Sequence, residues 1–204
     1  MNFKEIQDVV IANTKRGDFL EAIKTRINAT INLFSASGFY WPDLAEVSLG
    51  SADGISPTAF TQTIQLPVRF RKIAYFKYPS GSQTQNTEYL KGYAAQDLMQ
   101  DAYRGLGDIY YVSGTSIKIK NSRVSATFLF GYYTSPAPLV LDTDTNWITS
   151  LMPYAIADQV TQFIMAATGN REEGSVYSSI SQVELQMMIH NLVNATATGA
   201  QHGF

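Results

Sequence analysis

The sequence contains no cysteine. Disulfides, thiolate metal ligands and cysteine nucleophiles are therefore excluded whatever the fold. Histidine is scarce as well, with His190 and His202 the only two. Zinc wants three or four ligands, which two scattered histidines do not supply. Charge is sparse too: Asp, Glu, Lys and Arg make up 16% of the chain, against about 25% in an average soluble domain. A globular chain with few charges often covers part of its surface with partners. The net charge of −2 excludes the strongly basic balance of an ordinary nucleic-acid binder. No apolar run approaches the ~18 residues of a membrane span. The opening Met1-Asn2-Phe3-Lys4-Glu5 lacks the charged-then-apolar order of a secretory signal, so a cytoplasm-like compartment is expected. The sequons Asn28-Ala29-Thr30 and Asn194-Ala195-Thr196 then read as chance matches.

What is present is ample apolar material, 45% of 204 residues. That length suits one domain, or one domain carrying a sizeable insertion. Charge is unevenly placed. Arg69, Arg71, Lys72 and Lys77 gather in the middle. Beyond Arg123 the only basic residue is Arg171, among Asp142, Asp144, Asp158, Glu172, Glu173 and Glu184. Both groups read as solvated surface. The sharper reading is a basic patch for a partner, and an acidic segment that meets a basic partner or lines a path for DNA without gripping it.

The periodicities run helix, strand, helix. Residues 3–13 form a short helix with Phe3, Ile6, Val9 and Val10 on one side. Asp18 and Glu21 have the spacing of a capping box. Behind them Phe19, Ile23, Ile27, Ile31 and Phe34 make one apolar stripe, ended at Gly38, where positive φ is expected. Phe39-Tyr40-Trp41 reads as a core plug, and residues 50–58 as a loop. Residues 60–66 and 68–78 predict strands, the second with Val68, Phe70, Ile73 and Tyr75 apolar and its phase slipping near Lys72. A polar loop over 79–86 and a short helix over 94–104 follow. Residues 109–112, a Ser113-Gly114 turn and alternating Ile117 and Ile119 predict a hairpin. A turn at Asn121-Ser122 then leads into Val124, Ala126, Phe128 and Phe130, which predicts a three-stranded antiparallel meander.

Pro136-Ala137-Pro138 marks the exit from the sheet. Asp142, Thr143, Asp144 and Thr145 offer N-caps for a first turn over 146–151, and Pro153 suits the start of a helix. Ile156, Val160, Phe163, Ile164 and Ala167 mark its face up to Gly169. A last helix runs from 171–175 to about 194 with two apolar stripes. Val176, Ile180, Val183 and Met187 form one; Leu185, Met188, Ile189 and Leu192 form the other. Such a helix must be covered on two sides, one by its own bundle and the other by a neighbouring subunit. Residues 195–204 are small, polar and flexible by composition, and such a terminus frays unless something ties it down. The fold class is thus α+β. A helical domain over 1–45 and 139–196 brackets a β-rich insertion over 46–138, with a tail over 197–204.

Catalytic chemistry is hard to assemble from these residues. Neither histidine has a carboxylate and hydroxyl nearby in sequence. Helix capping accounts for Asp142 and Asp144 better than a metal or acid–base pair does. Gly105-Leu106-Gly107 lacks the third glycine and flanking elements of a phosphate loop. No enzyme, cofactor or metal is expected.

The layout resembles that of tailed-bacteriophage head-to-tail connector adaptors, including the podophage tail tubular type. The residues that carry the resemblance run nearly the whole chain. They are Asp18-Phe19-Leu20, Ile23, Ile27-Asn28 and Ile31 ending in Gly38-Phe39-Tyr40-Trp41; Leu66-Pro67-Val68-Arg69-Phe70-Arg71-Lys72-Ile73; Tyr110-Tyr111-Val112-Ser113-Gly114; Phe130-Gly131-Tyr132-Tyr133; Asp144-Thr145-Asn146-Trp147-Ile148; Pro153-Tyr154-Ala155; and Gly169-Asn170 before a long last helix. These are short diffuse patterns without an invariant signature. The resemblance implies a virion protein, assembled in the host cytoplasm as a ring, twelvefold in the family, that joins the portal to a tail nozzle or stopper and lets DNA pass. It implies a portal and subunit interface at Val176, Ile180, Val183, Met187, Ile189, Leu192, His202 and Phe204, and a tail-partner interface at Arg69, Arg71, Lys72 and Lys77. A stopper or tail-completion protein shares most of these features. A β-sheet carbohydrate- or receptor-binding module, with Trp41 and the tyrosines near 110 and 132 stacking on sugars, is the alternative of another class.

Overall fold

A computed structural model describes residues 1–50, 62–77, 90–92, 109–120 and 127–200. Expectations for 51–58 and Phe60, 79–86 and 94–104, the turn at Asn121-Ser122 with Val124 and Ala126 after it, and His202 and Phe204 lie outside the described residues. The chain divides into a helical unit, 1–43 with 135–204, and a β unit, 44–134. The boundaries expected from sequence were 46 and 138.

In the helical unit, α1 (Phe3–Thr14) starts in a capping box. The Asn2 side-chain oxygen Oδ1 accepts from the Glu5 N–H at 2.8 Å, and the Glu5 carboxylate accepts from the Asn2 N–H at 2.9 Å. Asn2-x-x-Glu5 is legible in the sequence, although the capping box anticipated there was Asp18 and Glu21. Asp18 caps nothing. A single 3-10 turn over Gly17–Phe19 intervenes, and the Arg16 guanidinium takes the Asp18 carboxylate at 2.8 and 2.9 Å. α2 (Leu20–Ala36) follows with Ile23, Ile27, Ile31 and Phe34 buried, as its periodicity demanded. Burying each such side chain stabilises by about 1.5–3 kcal/mol. Gly38 does not close α2 with positive φ; the glycines with positive φ among the described residues are Gly114 and Gly169. Gly38 instead gives the Tyr40 ring room, because a Cβ there would lie 2.8 Å from Tyr40 Cζ.

The aromatic cluster divides. Tyr40 is the plug, buried and edge-on to Trp147 at 5.7 Å, whereas Phe39 and Trp41 are exposed. Beside the plug Asp43, 4% exposed, accepts from Trp147 Nε1 at 2.6 Å and Ser35 Oγ at 3.2 Å.

The chain re-enters the helical unit through Leu139, which Asn28 of α2 grips at both ends. Asn28 Nδ2 donates to the Leu139 carbonyl at 2.9 Å, and the Leu139 N–H donates to Asn28 Oδ1 at 2.8 Å. The segment after it covers the N-terminus of α1, its Asp142 and Asp144 carbonyls accepting from the Lys4 and Phe3 N–H groups. Neither aspartate caps α3 (Trp147–Leu151). Asn146, immediately before the helix, does so in a box with Thr149. The Asp144 carboxylate accepts from the N–H groups of Val140 and Leu141, which holds its pKa below the ordinary value. α4 (Pro153–Ala167) begins on its proline, buries Ile156, Val160 and Ile164, and ends before Gly169. α5 (Arg171–Ala200) is twice its length at 30 residues, about 45 Å at 1.5 Å per residue. The helix therefore reaches into the stretch expected to be a loose tail, since alanine-rich sequence can continue a helix already nucleated and packed upstream.

The β unit holds β1 (Leu44–Leu49), β2 (Gln62–Gln65), β3 (Phe70–Lys77), β4 (Lys91–Gly92), β5 (Ile109–Ser113), β6 (Ser116–Lys120) and β7 (Phe128–Thr134). The hairpin β5–β6 forms around Gly114 and Thr115, one residue later than expected, with Gly114 at positive φ. β7 does not extend this hairpin into a meander. It lies between β1 and β3 in one sheet, while β2, β6, β5 and β4 form a second, with β4 parallel to β5. Alternation identifies an inward face; it does not name the neighbour across the ladder. Residues of both sheets meet in one aromatic core, where Phe76 stacks on Phe128 at 5.2 Å and meets Phe130 and Tyr110 edge-on. The slipping phase of β3 is a pair of register shifts, one between Phe70 and Lys72 and one between Ile73 and Tyr75. Each re-aims the strand, so Phe70, Ile73 and Phe76, three apart, all reach the core. Tyr75 leaves that face and covers Gly131, bonded to Glu46. Val68, expected to point inward, stands almost fully exposed in the turn before β3.

Candidate functional site

α5 carries four large apolar side chains exposed along one face. Its inner side packs on α4 through small residues and then large ones. Gly174 is buried against Gln162 and Met165, and Ser181 is buried with its hydroxyl 3.3 Å from Gln159 Oε1. Farther along, Met188 and Leu192 enter the main core, with Leu185 and Ile189 packed against it. The other stripe, Val176, Ile180, Val183 and Met187, stays 46 to 60% exposed. Of the residues anticipated as an interface, these four share one outward face. Leu192 and Ile189 do not join them, because the bundle itself uses them.

At Met187 the stripe runs into a groove of about 440 Å³. Trp41, Leu151 and Tyr154 stand around it, all more than half exposed, and Met188 and Leu192 line it too. Asp43 and Tyr40 are anchored immediately beside Trp41, so this wall is placed by the buried hydrogen bonds to Asp43. Sequence reasoning missed Leu151 and Tyr154 as surface. Tyr154 follows Pro153 at a helix start and falls outside the buried 156, 160, 164 spacing, a signal that was available.

Acid gathers along the same helix in Glu172, Glu173 and Glu184. Asp158 of α4 is partly buried, and desolvation, with the Glu184 charge second, raises its pKa above the ordinary value. Basic character sits elsewhere, in the β unit. Arg71, Lys72 and Lys77 lie on β3, with Lys77 Nζ 4.6 Å from the centre of the Tyr75 ring. Arg69 occupies the preceding turn in the left-handed region, φ 63°, uncommon for a side chain of this kind.

Two of the residues proposed for a sugar platform have their rings against the β-unit core, and the third stands exposed in the helical unit. Tyr132 is buried and stacked on Phe130 at 4.9 Å, Tyr110 is half-buried against Phe76, and Trp41 belongs to the helical unit. Among the described residues no three His, Asp or Glu side chains come together as a metal site, and no helix is long and apolar enough to cross a membrane. The sequence matches no family model and no curated protein.

Proposed function

We propose that this chain is a structural subunit of a tailed-bacteriophage neck, a head-to-tail adaptor that assembles as a ring, twelvefold, between the portal and the nozzle or stopper of the tail. The observation that carries this reading is the outward stripe of α5. Four large apolar side chains in register on a packed helix lose favourable burial while they face water, at about 25 cal/mol per Å² of apolar surface, and contiguous exposed apolar surface marks interaction sites. The helix–sheet–helix order and the resemblance of the short motifs described above support this choice of family. Portal, neighbouring subunits and tail component are the partners, and DNA passes without sequence-specific contact. The basic residues Arg69, Arg71, Lys72 and Lys77 are assigned to the tail partner.

Electron microscopy of the purified protein, alone and mixed with portal, tests this. The reading expects annular particles, or annuli formed on the portal. Single compact particles under both conditions count against it.

A further inference from the structure

We infer that the α5 stripe of one copy docks on the outward face of α2 of the next, a head-to-tail contact that rests on the ring reading above. The spacing of Val176, Ile180, Val183 and Met187 is four, three, four, the spacing of a helix–helix seam. An α-helix is therefore the shape that covers it. α2 offers a counterpart: Arg26, Ala29, Leu33 and Ala36 are exposed at spacings of three, four and three. Leu33 is 63% exposed and stands between two alanines, which leave space for larger side chains across the contact.

Charge selects this pairing over α5 with α5. α5 carries Glu172, Glu173 and Glu184 and no lysine or arginine after Arg171. Self-pairing brings two acidic faces together, whereas α2 presents Arg26, held in place by its guanidinium 3.4 Å from the centre of the Phe163 ring. Opposite charges across a contact steer its register and suppress wrong partners. Position agrees. α4 packs against both α2 and α5, while the α5 stripe and the α2 row stay exposed, so each copy offers both faces. A contact between different faces of identical subunits is heterologous and closes into a ring when the rotation permits.

The absence of native cysteine makes the test clean. Val183→Cys and Ala29→Cys are prepared singly and oxidised alone and as a mixture, while native mass spectrometry reports assembly. A disulfide-linked pair of chains in the mixture only is the expected result. Cross-linking of Val183→Cys with itself overturns the inference in favour of symmetric α5 pairing. A multimer without the mixed cross-link overturns the inference and leaves the ring reading standing. A lone chain at every concentration, without cross-link, removes both. Leu33→Asp and Ile180→Asp should each weaken assembly about tenfold or more while the unfolding midpoint of the subunit holds.

Discussion

Asp43 illustrates how much can depend on one side chain. It accepts from Trp147 and Ser35 while almost wholly buried, and Tyr40 packs on the same indole. Trp147→Phe keeps most of the ring and removes the donor. Leaving a buried acceptor short of a partner costs about 1–3 kcal/mol, so the unfolding free energy should fall by that amount, read as a lower urea midpoint with an unchanged slope. An unchanged midpoint would mean that this bond contributes nothing net. Gly131 offers a second case. Tyr75 covers it so closely that a Cβ would clash with its ring. Gly131→Ala should destabilise by about 1–3 kcal/mol, the usual cost of overpacking. The same change made in Tyr75→Ala should cost far less, and equal costs in both backgrounds would disprove the steric account.

Between α4 and α5 the telling residue is Asp158, whose folded pKa lies above the ordinary value of 3.8 through desolvation and the Glu184 charge. A raised folded pKa means that the native state binds the proton more tightly than the unfolded chain. The resulting stabilisation is complete below the unfolded value and is lost as pH rises through the folded one. Asp158→Asn should therefore raise the melting temperature at pH 7, and the gain should shrink as pH falls below the folded value. A gain independent of pH would assign the effect to packing. At this scale much was legible in advance. Ile23, Ile27 and Ile31, four apart and continued by Phe34, specified α2, and the two stripes of α5 were visible because each recurs every three or four residues. Which stripe faces outward was not legible, since Met188 and Val183 are equally apolar and only the position of α4 decides. Strand pairing was illegible for a related reason: Phe128 and Phe130 announce an inward face and say nothing of β1 or β3 beside them. Asp18 and Asp144 were read as caps on residue type, but Arg16 in one case and a local turn in the other offered nearer partners.

The whole molecule is a helical unit interrupted by a β unit, and each has its own core. Among the described residues the helical core draws on α1 to α5. Replacing residues 44–134 by a Gly/Ser linker should leave a helical circular-dichroism spectrum and a cooperative melt; a non-cooperative melt would show that the units fold as one. The central claim is that the outward face of α5 is built to be covered by another protein chain. Native mass spectrometry of the intact protein beside Ile180→Asp with Met187→Asp tests it most directly. The account predicts that the wild type forms one closed multimer of the 22.6 kDa chain and that the double variant, folded to the same degree, falls to single chains. A wild type that stays a single chain through micromolar concentrations and with portal present, or a double variant that assembles as before, would contradict it.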